Sequence, residues 1–120
     1  LVKAAKVIMG YGPKILIIKR GEYGALMFNG ISVFSAPAYP LEEIFDPTGA
    51  GDTFAGGLMG YLANSGDVSE ASIRRAIICG SVMASFNVEA FSLERLSTLT
   101  QKEINDRYSE FKRLTHFEDI

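Results

Sequence analysis

The sequence predicts a three-layer α/β fold, with a mainly parallel sheet between helices and an antiparallel hairpin at its side. Three observations carry this. Ile15-Leu16-Ile17-Ile18 is an unbroken apolar run held between Lys14 and Lys19. It is short enough for a strand and apolar enough to be covered on both faces, as the strands of parallel sheets are. It follows a helix-ending segment, so helix, short loop and buried strand succeed one another as in half of a βαβ unit. A glycine-rich turn at 46–57 then runs straight into an apolar-periodic helix, with Phe54, Leu58, Tyr61 and Leu62 at i, i+4, i+7 and i+8.

Each element has a local reason. Residues 1–11 read as the end of a helix with Val2, Ala5 and Ile8 or Met9 on one face, stopped by the stretch Gly10 to Pro13. After the apolar run, Gly21 and Gly24 permit a tight turn in Lys19-Arg20-Gly21-Glu22-Tyr23-Gly24. That turn lies at the C-terminal end of a strand, where open α/β sheets bind ligands, although a plain hairpin turn has the same composition. Ala25–Phe28 and Ile31–Ser35 are expected to pair across Asn29-Gly30, because a type I′ turn needs positive φ at both central positions. Pro37 and Pro40 end the second strand, and Leu41 to Phe45 carries the chain on, extended.

Beyond the glycine-rich turn, Asn64-Ser65-Gly66-Asp67 reads as a helix C-cap and loop. Ser69 caps a second helix running to about Asn87, whose face Ile73, Ala76, Ile77, Gly80 and Ala84 has helical spacing and small side chains. Small residues on a buried face admit a neighbouring backbone or a flat ligand, and core packing is the simpler of the two. The last helix opens on Thr100-Gln101-Lys102-Glu103, a capping box, with an apolar stripe of Ile104, Tyr108 and Phe111.

Composition narrows the function. At 120 residues and 48% hydrophobic the chain has enough for one compact domain. Twelve basic against fourteen acidic residues, with no basic run, give a nucleic-acid surface no electrostatic support. No apolar stretch approaches the ~18 residues of a membrane span. The single cysteine, Cys79, cannot form an internal disulfide, which suits a reducing cytoplasm, and no basic neighbour activates it. His116 has no partner pattern. Neither a P-loop nor Cys/His metal spacing occurs, and the glycines of Gly49-Ala50-Gly51-Asp52-Thr53-Phe54 lack the spacing of a dinucleotide fingerprint.

The glycine-rich turn is where chemistry concentrates. A glycine turn feeding a helix leaves backbone N–H groups aimed at one spot, at the positive end of the helix dipole, which is a physical description of an anion hole. Asp52 falls in the first helical turn beside it. An acidic residue there is also what the dipole alone selects, to the extent of ~0.3–1 kcal/mol. The longer pattern decides between these. Asp46, Gly49, Ala50, Gly51, Asp52 and Phe54, followed by the small Ala55, match D-x-x-G-A-G-D-x-F, and Asp46 to Gly57 resembles the second signature of the ribokinase/PfkB-like carbohydrate kinase family.

The resemblance implies a ribokinase-like, doubly wound αβα domain, of which residues 1–120 would be the C-terminal nucleotide-binding and catalytic part, the N-terminal part with the first signature and most sugar-binding residues lying upstream. It implies ATP with Mg2+, a small sugar-like substrate, a cytoplasmic setting and room for a homodimer formed through the upstream part. This part alone would be inactive and would show an apolar surface where the upstream strands belong. Asp52 would be the general base, with Gly49, Ala50 and Gly51 completing the anion hole for the transferred phosphoryl group. Gly21 and Gly24 would lie beside the nucleotide with Lys19 in reach of a phosphate, and Cys79, Gly80 and Met83 would flank the adenine. Asp46 and Thr48 match positions that hold a monovalent cation in potassium-activated members, although an Asp capping the turn around Pro47 explains them equally. The chain departs from the family at Phe86-Asn87-Val88-Glu89-Ala90-Phe91, where a Gly-Ala pair is usual. A nucleoside kinase of the same superfamily, or a nucleotide-binding module without turnover, fits the same residues.

Overall fold

The computed structural model describes residues 1–44, 46–90 and 94–120. Phe45 and Phe91, which the sequence reading placed at the end of the extended run and in the departing loop, lie outside the described residues. The elements in chain order are α1 (Val2–Met9), β1 (Leu16–Lys19), β2 (Ala25–Phe28), β3 (Val33–Ala36), α2 (Ala50–Ser65), α3 (Glu70–Asn87), α4 (Glu94–Thr98) and α5 (Gln101–Thr115).

The three strands form one sheet in the order β1-β2-β3, and both ladders are antiparallel, with Ile17 opposite Met27 and Met27 opposite Phe34. This corrects the expectation of a mainly parallel sheet as far as the described strands go. The reason is chain length: only residues 20–24 separate β1 from β2, and a parallel pair needs a crossover of about a dozen residues. The apolar run at 15–18 is therefore the first arm of a hairpin, with Leu16, Ile17 and Ile18 half-buried and Ile15 exposed. The second hairpin differs from expectation too. β2 and β3 are joined by four residues, Asn29 to Ser32, because the Asn29 Oδ1 accepts the N–H groups of Ile31 and Ser32 at 3.0 and 2.8 Å and folds the loop around its own side chain.

One face of the sheet, carrying Ala25, Met27 and Ala36 with Ile17 and Phe34, packs on Phe54 and Leu58 of α2 and on Ile73, Ala76 and Ile77 of α3. The glycines set the spacing of the two helices. A Cβ on Gly57 would lie 3.0 Å from the Gly80 Cα, and one on Gly80 would lie 2.6 Å from the Phe54 carbonyl oxygen. The backbones of α2 and α3 can approach that closely only without those side chains. A second core joins α3 to α5 through Val82, Phe86 and Phe111. Helix ends follow the sequence: Gly66 closes α2 in the left-handed conformation, the Ser69 hydroxyl caps α3 at Ser72 N–H, and Thr100 and Glu103 form the capping box of α5. The short α4 was not expected. On α1 only Ala5 is buried, and Leu1, Val2, Val7 and Ile8 are exposed. No helix among the described residues is long and apolar enough to cross a membrane.

Candidate functional site

α2 starts at Ala50, with Gly49 as its N-cap residue at φ 82°. That left-handed conformation is why a glycine stands there, and it brings the chain from the extended segment into the helix. Gly49 supplies no side-chain cap, so the first-turn donors depend on the backbone. The Ala50 N–H closes a turn onto the Pro47 carbonyl at 3.1 Å, and Thr53 N–H bonds the Gly49 carbonyl at 2.9 Å. Among the described residues, Gly51 and Asp52 N–H take no acceptor, so they are the free donors of this helix end. Ala50 contributes position rather than a free donor, which narrows the expected anion hole. Asp52 is exposed in the same turn and its carboxylate takes no partner among the described residues.

Two loops hold this turn. Asp46 accepts the Thr48 N–H on Oδ1 at 3.0 Å, and its own N–H donates to the Val88 carbonyl at 3.4 Å. The Thr48 N–H holds the Asp46 carboxyl below the usual Asp value. A lowered value stabilises the turn above the ordinary carboxylate range, and that contribution is lost as pH falls through the lowered value. We expect the melting temperature to fall between about pH 5 and 3, and the Asp46→Asn protein to show a shallower acid limb, since Asn keeps the acceptor without titrating. Identical acid limbs in differential scanning fluorimetry would refute the role of this carboxylate.

The second anchor escaped the sequence reading. Asn87, at the end of α3, is 3% exposed. Its Nδ2 donates to the Thr48 carbonyl at 3.0 Å, and its Oδ1 accepts the Thr53 hydroxyl at 3.2 Å. One amide thus binds the residue before Gly49 and the first turn of α2. The available signal was a polar amide on an otherwise apolar helix end.

Asp46 and Thr48 are both engaged in holding the turn. One carboxylate oxygen and the Thr48 carbonyl already accept hydrogen bonds, and among the described residues no group of three His, Cys, Asp or Glu side chains converges. The pair thus closes the turn around Pro47 through its own hydrogen bond.

Beside the start of α2 lies a cavity of about 280 Å³. One side is the turn after β1, contributed by Lys19, Gly21 and Gly24; another is Ala50, Gly51 and Phe54 of α2. The turn is a single 3-10 turn at Gly21–Tyr23, and it is both the hairpin connection and a wall of the site. Lys19 Nζ donates to the Gly51 carbonyl at 3.2 Å and lies 5.8 Å from the Phe54 ring centroid. A Cβ on Gly51 would come within 3.0 Å of that ammonium, so the glycine leaves the lysine its path across the helix end.

The third side is α3, but not the residues first expected to flank a base. Cys79, Gly80 and Met83 face α2: the Cys79 carbonyl, the Gly80 Cα and Met83 Cγ all surround Gly57, and none of the three lines the cavity. The cavity stripe is Ser81, Ala84, Ser85 and Val88. Both stripes have helical spacing, and only the packing of α2 tells which faces the cavity. Burial raises the Cys79 thiol above its ordinary value, in keeping with an unreactive packing residue. The far wall is the extended segment with Pro37, Tyr39 and Leu41.

Tyr39 and Ser85 are tied to α5. Arg107, whose side chain is 15% exposed, has its guanidinium 3.7 Å from the Phe86 ring centroid and 4.3 Å from that of Tyr39. It donates to Ser85 Oγ at 3.1 Å and pairs with Glu89 at 2.6 Å. Arg95 shares Glu89 and also pairs with Glu103, while the Tyr39 hydroxyl donates to Glu110. That bond is the main reason the Tyr39 phenol stands above its ordinary value.

Comparison with known proteins places this geometry. Over residues 1–98 the chain matches the model of the pfkB family carbohydrate kinases. It is 52% identical to a cytidine kinase of Thermococcus kodakarensis over 61 residues, which is 48% of this chain and 22% of that protein. It is 35% identical to a deoxyribokinase of Salmonella typhi over 75 residues, 62% of this chain and 24% of that protein. Among solved structures, aminoimidazole riboside kinase from Salmonella enterica, complexed with aminoimidazole riboside and an ATP analogue, aligns with TM-score 0.76 at 28% identity, over 90% of this chain and 36% of that one. Fructokinase from Vibrio cholerae, at 21% identity and TM-score 0.80 over 90% of this chain and 35% of that one, shares the fold. The chain thus spans about a quarter of the length of these curated relatives. The matched length, with the glycine turn, the exposed Asp52 and the cavity inside it, makes this chain a member of the pfkB family of carbohydrate kinases.

Proposed function

We propose that this chain is the donor-side and catalytic part of an ATP-dependent kinase that phosphorylates a hydroxyl of a sugar or sugar derivative. The observation that carries the reading is the convergence at the start of α2: two N–H donors and the Asp52 carboxylate, all without partners among the described residues, and the Lys19 ammonium, beside a largely apolar cavity. The phosphates would lie at Gly49–Asp52 within reach of Lys19, with the base in the apolar remainder beyond Gly21 and Gly24. The N–H groups would stabilise the charge that spreads over the transferred phosphoryl group, and glycine lets that group come close. Asp52 would orient the acceptor hydroxyl and take its proton late, as bonding to phosphorus develops. Mg2+ would come with the nucleotide, held by phosphates and water, and neutralise phosphate charge.

A nucleoside acceptor is the second reading. The 52% identity to a cytidine kinase and the likeness to an aminoimidazole riboside kinase favour it. In both readings the cavity would serve the donor, so the acceptor would be chosen by residues outside it. The deciding experiment is ADP release by the whole protein with Mg·ATP against a panel of sugars and nucleosides. Turnover with a sugar is the expected result. Turnover with nucleosides alone would transfer the proposal to the second reading. ATP binding with no turnover on any acceptor would reduce the chain to a nucleotide-binding module.

A further inference from the structure

We infer that Arg107 is a positioning residue that sets the shape of the base end of the cavity; this rests on the nucleotide reading above. The phosphate end is fixed by the start of α2 and Lys19, which leaves the wall between Tyr39 and Ser85 for a base. That wall and the α3 stripe beside it carry three hydroxyls, all already engaged, Ser81 Oγ by donating to the Ile77 carbonyl at 2.9 Å. Ser85 Oγ donates to the Val82 carbonyl at 2.6 Å and accepts from Arg107 at 3.1 Å, and the Tyr39 hydroxyl donates to Glu110.

No residue of α5 lines the cavity, yet α5 holds both sides of this wall. Arg107 lies against the Tyr39 ring and bonds Ser85, so one guanidinium fixes the extended segment relative to α3. Through Glu89 it also fixes the residue next to Val88, whose carbonyl accepts the Asp46 N–H. A planar, always-charged group with several donors suits this task, because it stacks and bonds in one geometry. The residue lies on α5, beyond the stretch 1–98 that the family match covers. Without it, Ser85 loses a donor and Tyr39, still held on α5 by Phe111 and Glu110, loses its tie to α3, so the two sides of the wall can shift relative to each other.

The test compares two probes on the whole protein by titration calorimetry: ADP, which has a base, and inorganic tripolyphosphate, which has none. In Arg107→Met, which keeps a long side chain between the rings, ADP affinity should fall about tenfold, the size of a lost charged hydrogen bond, with tripolyphosphate affinity unchanged. Arg107→Lys keeps the charge but not the planar fork, and should lose ADP affinity to a lesser degree. A general loss of structure would weaken both probes alike and would overturn the inference. Unchanged ADP affinity in both variants, or in Arg107→Lys alone should the Met variant fail to fold, would overturn it while leaving the nucleotide reading in place. A wild-type protein that does not bind ADP would overturn that reading, and this inference with it.

Discussion

Asp52→Asn should lower kcat of phosphoryl transfer by roughly 10²–10⁴-fold while leaving the ATP dissociation constant within a few-fold of wild type. The expectation comes from geometry. Asp52 stands in the first turn of α2, exposed, and takes no hydrogen bond from any described residue. A carboxylate kept beside free N–H donors and left without a structural partner is available for an acceptor hydroxyl. Asn preserves size and can still accept a hydrogen bond through its carbonyl, so α2 and the cavity beside it should survive. What it cannot do is take the proton. Single-turnover kinetics with saturating Mg·ATP would separate the chemical step from binding. Turnover within tenfold of wild type would remove Asp52 from the role of base, and a parallel loss of ATP affinity would point to a part in holding the donor instead.

Gly24→Ala should cost about 3–5 kcal/mol of stability, combining backbone strain with an overpacked contact. Gly24 sits at φ 85°, ψ −148°, close to a region that only glycine enters freely. A Cβ there would overlap the Ala36 carbonyl oxygen and lie 2.9 Å from the Pro37 carbonyl carbon. Both atoms belong to backbone at the end of β3, so neither can swing aside. Gly21 is the control: its φ is 57°, but a Cβ would meet nothing within 4 Å. Gly21→Ala should therefore cost only about 1–2 kcal/mol, that of one left-handed residue. Chemical denaturation of both variants measures the difference. Equal losses would mean that the β1–β2 turn can move away from β3 and that the contact with Ala36 and Pro37 does not constrain Gly24.

The parts of the fold that were legible are those whose causes are local. Ser69, Gly66 and the Thr100–Glu103 box terminate or start helices through bonds made within four residues, and α2, α3 and α5 begin or end where those residues stand. Sheet direction was not local. Four apolar residues at 15–18 suit a parallel or an antiparallel strand, and the brevity of 20–24 had to be weighed against their burial. The Asn-Gly pair marked the second hairpin but not its length, since the Asn29 side chain took over the hydrogen bonds that a two-residue turn would have made.

The site divides in the same way. The turn at Gly49–Asp52 is contiguous in the sequence, and Lys19, Gly21 and Gly24 from the turn after β1 line the cavity beside it. The α3 contribution was displaced from Cys79, Gly80 and Met83 to Ser81, Ala84 and Ser85, because two small-residue stripes wind round one helix and the sequence does not say which one α2 takes. Arg107 gave no sign of itself. Its neighbours come from two other segments, Tyr39 from the extended stretch after β3 and Ser85 and Glu89 from the end of α3 and the turn after it, and only the packing of α5 assembles them.

Asn87 bears on how such chains are inherited. Its amide is donor to Thr48 and acceptor from Thr53 at once, a pairing that neither Asp nor Leu can reproduce, and it stands 34 residues downstream of Thr53. The short pattern around Asp52 can therefore survive intact in a descendant that has lost its anchor, so a copy spelling D-P-T-G-A-G-D correctly can already be a relic. Drift at position 87 should be tolerated only alongside a change at 53, whose hydroxyl is its side-chain partner, and that linkage, rather than the spelling of the turn, would mark the lineages in which the turn is still held in working shape.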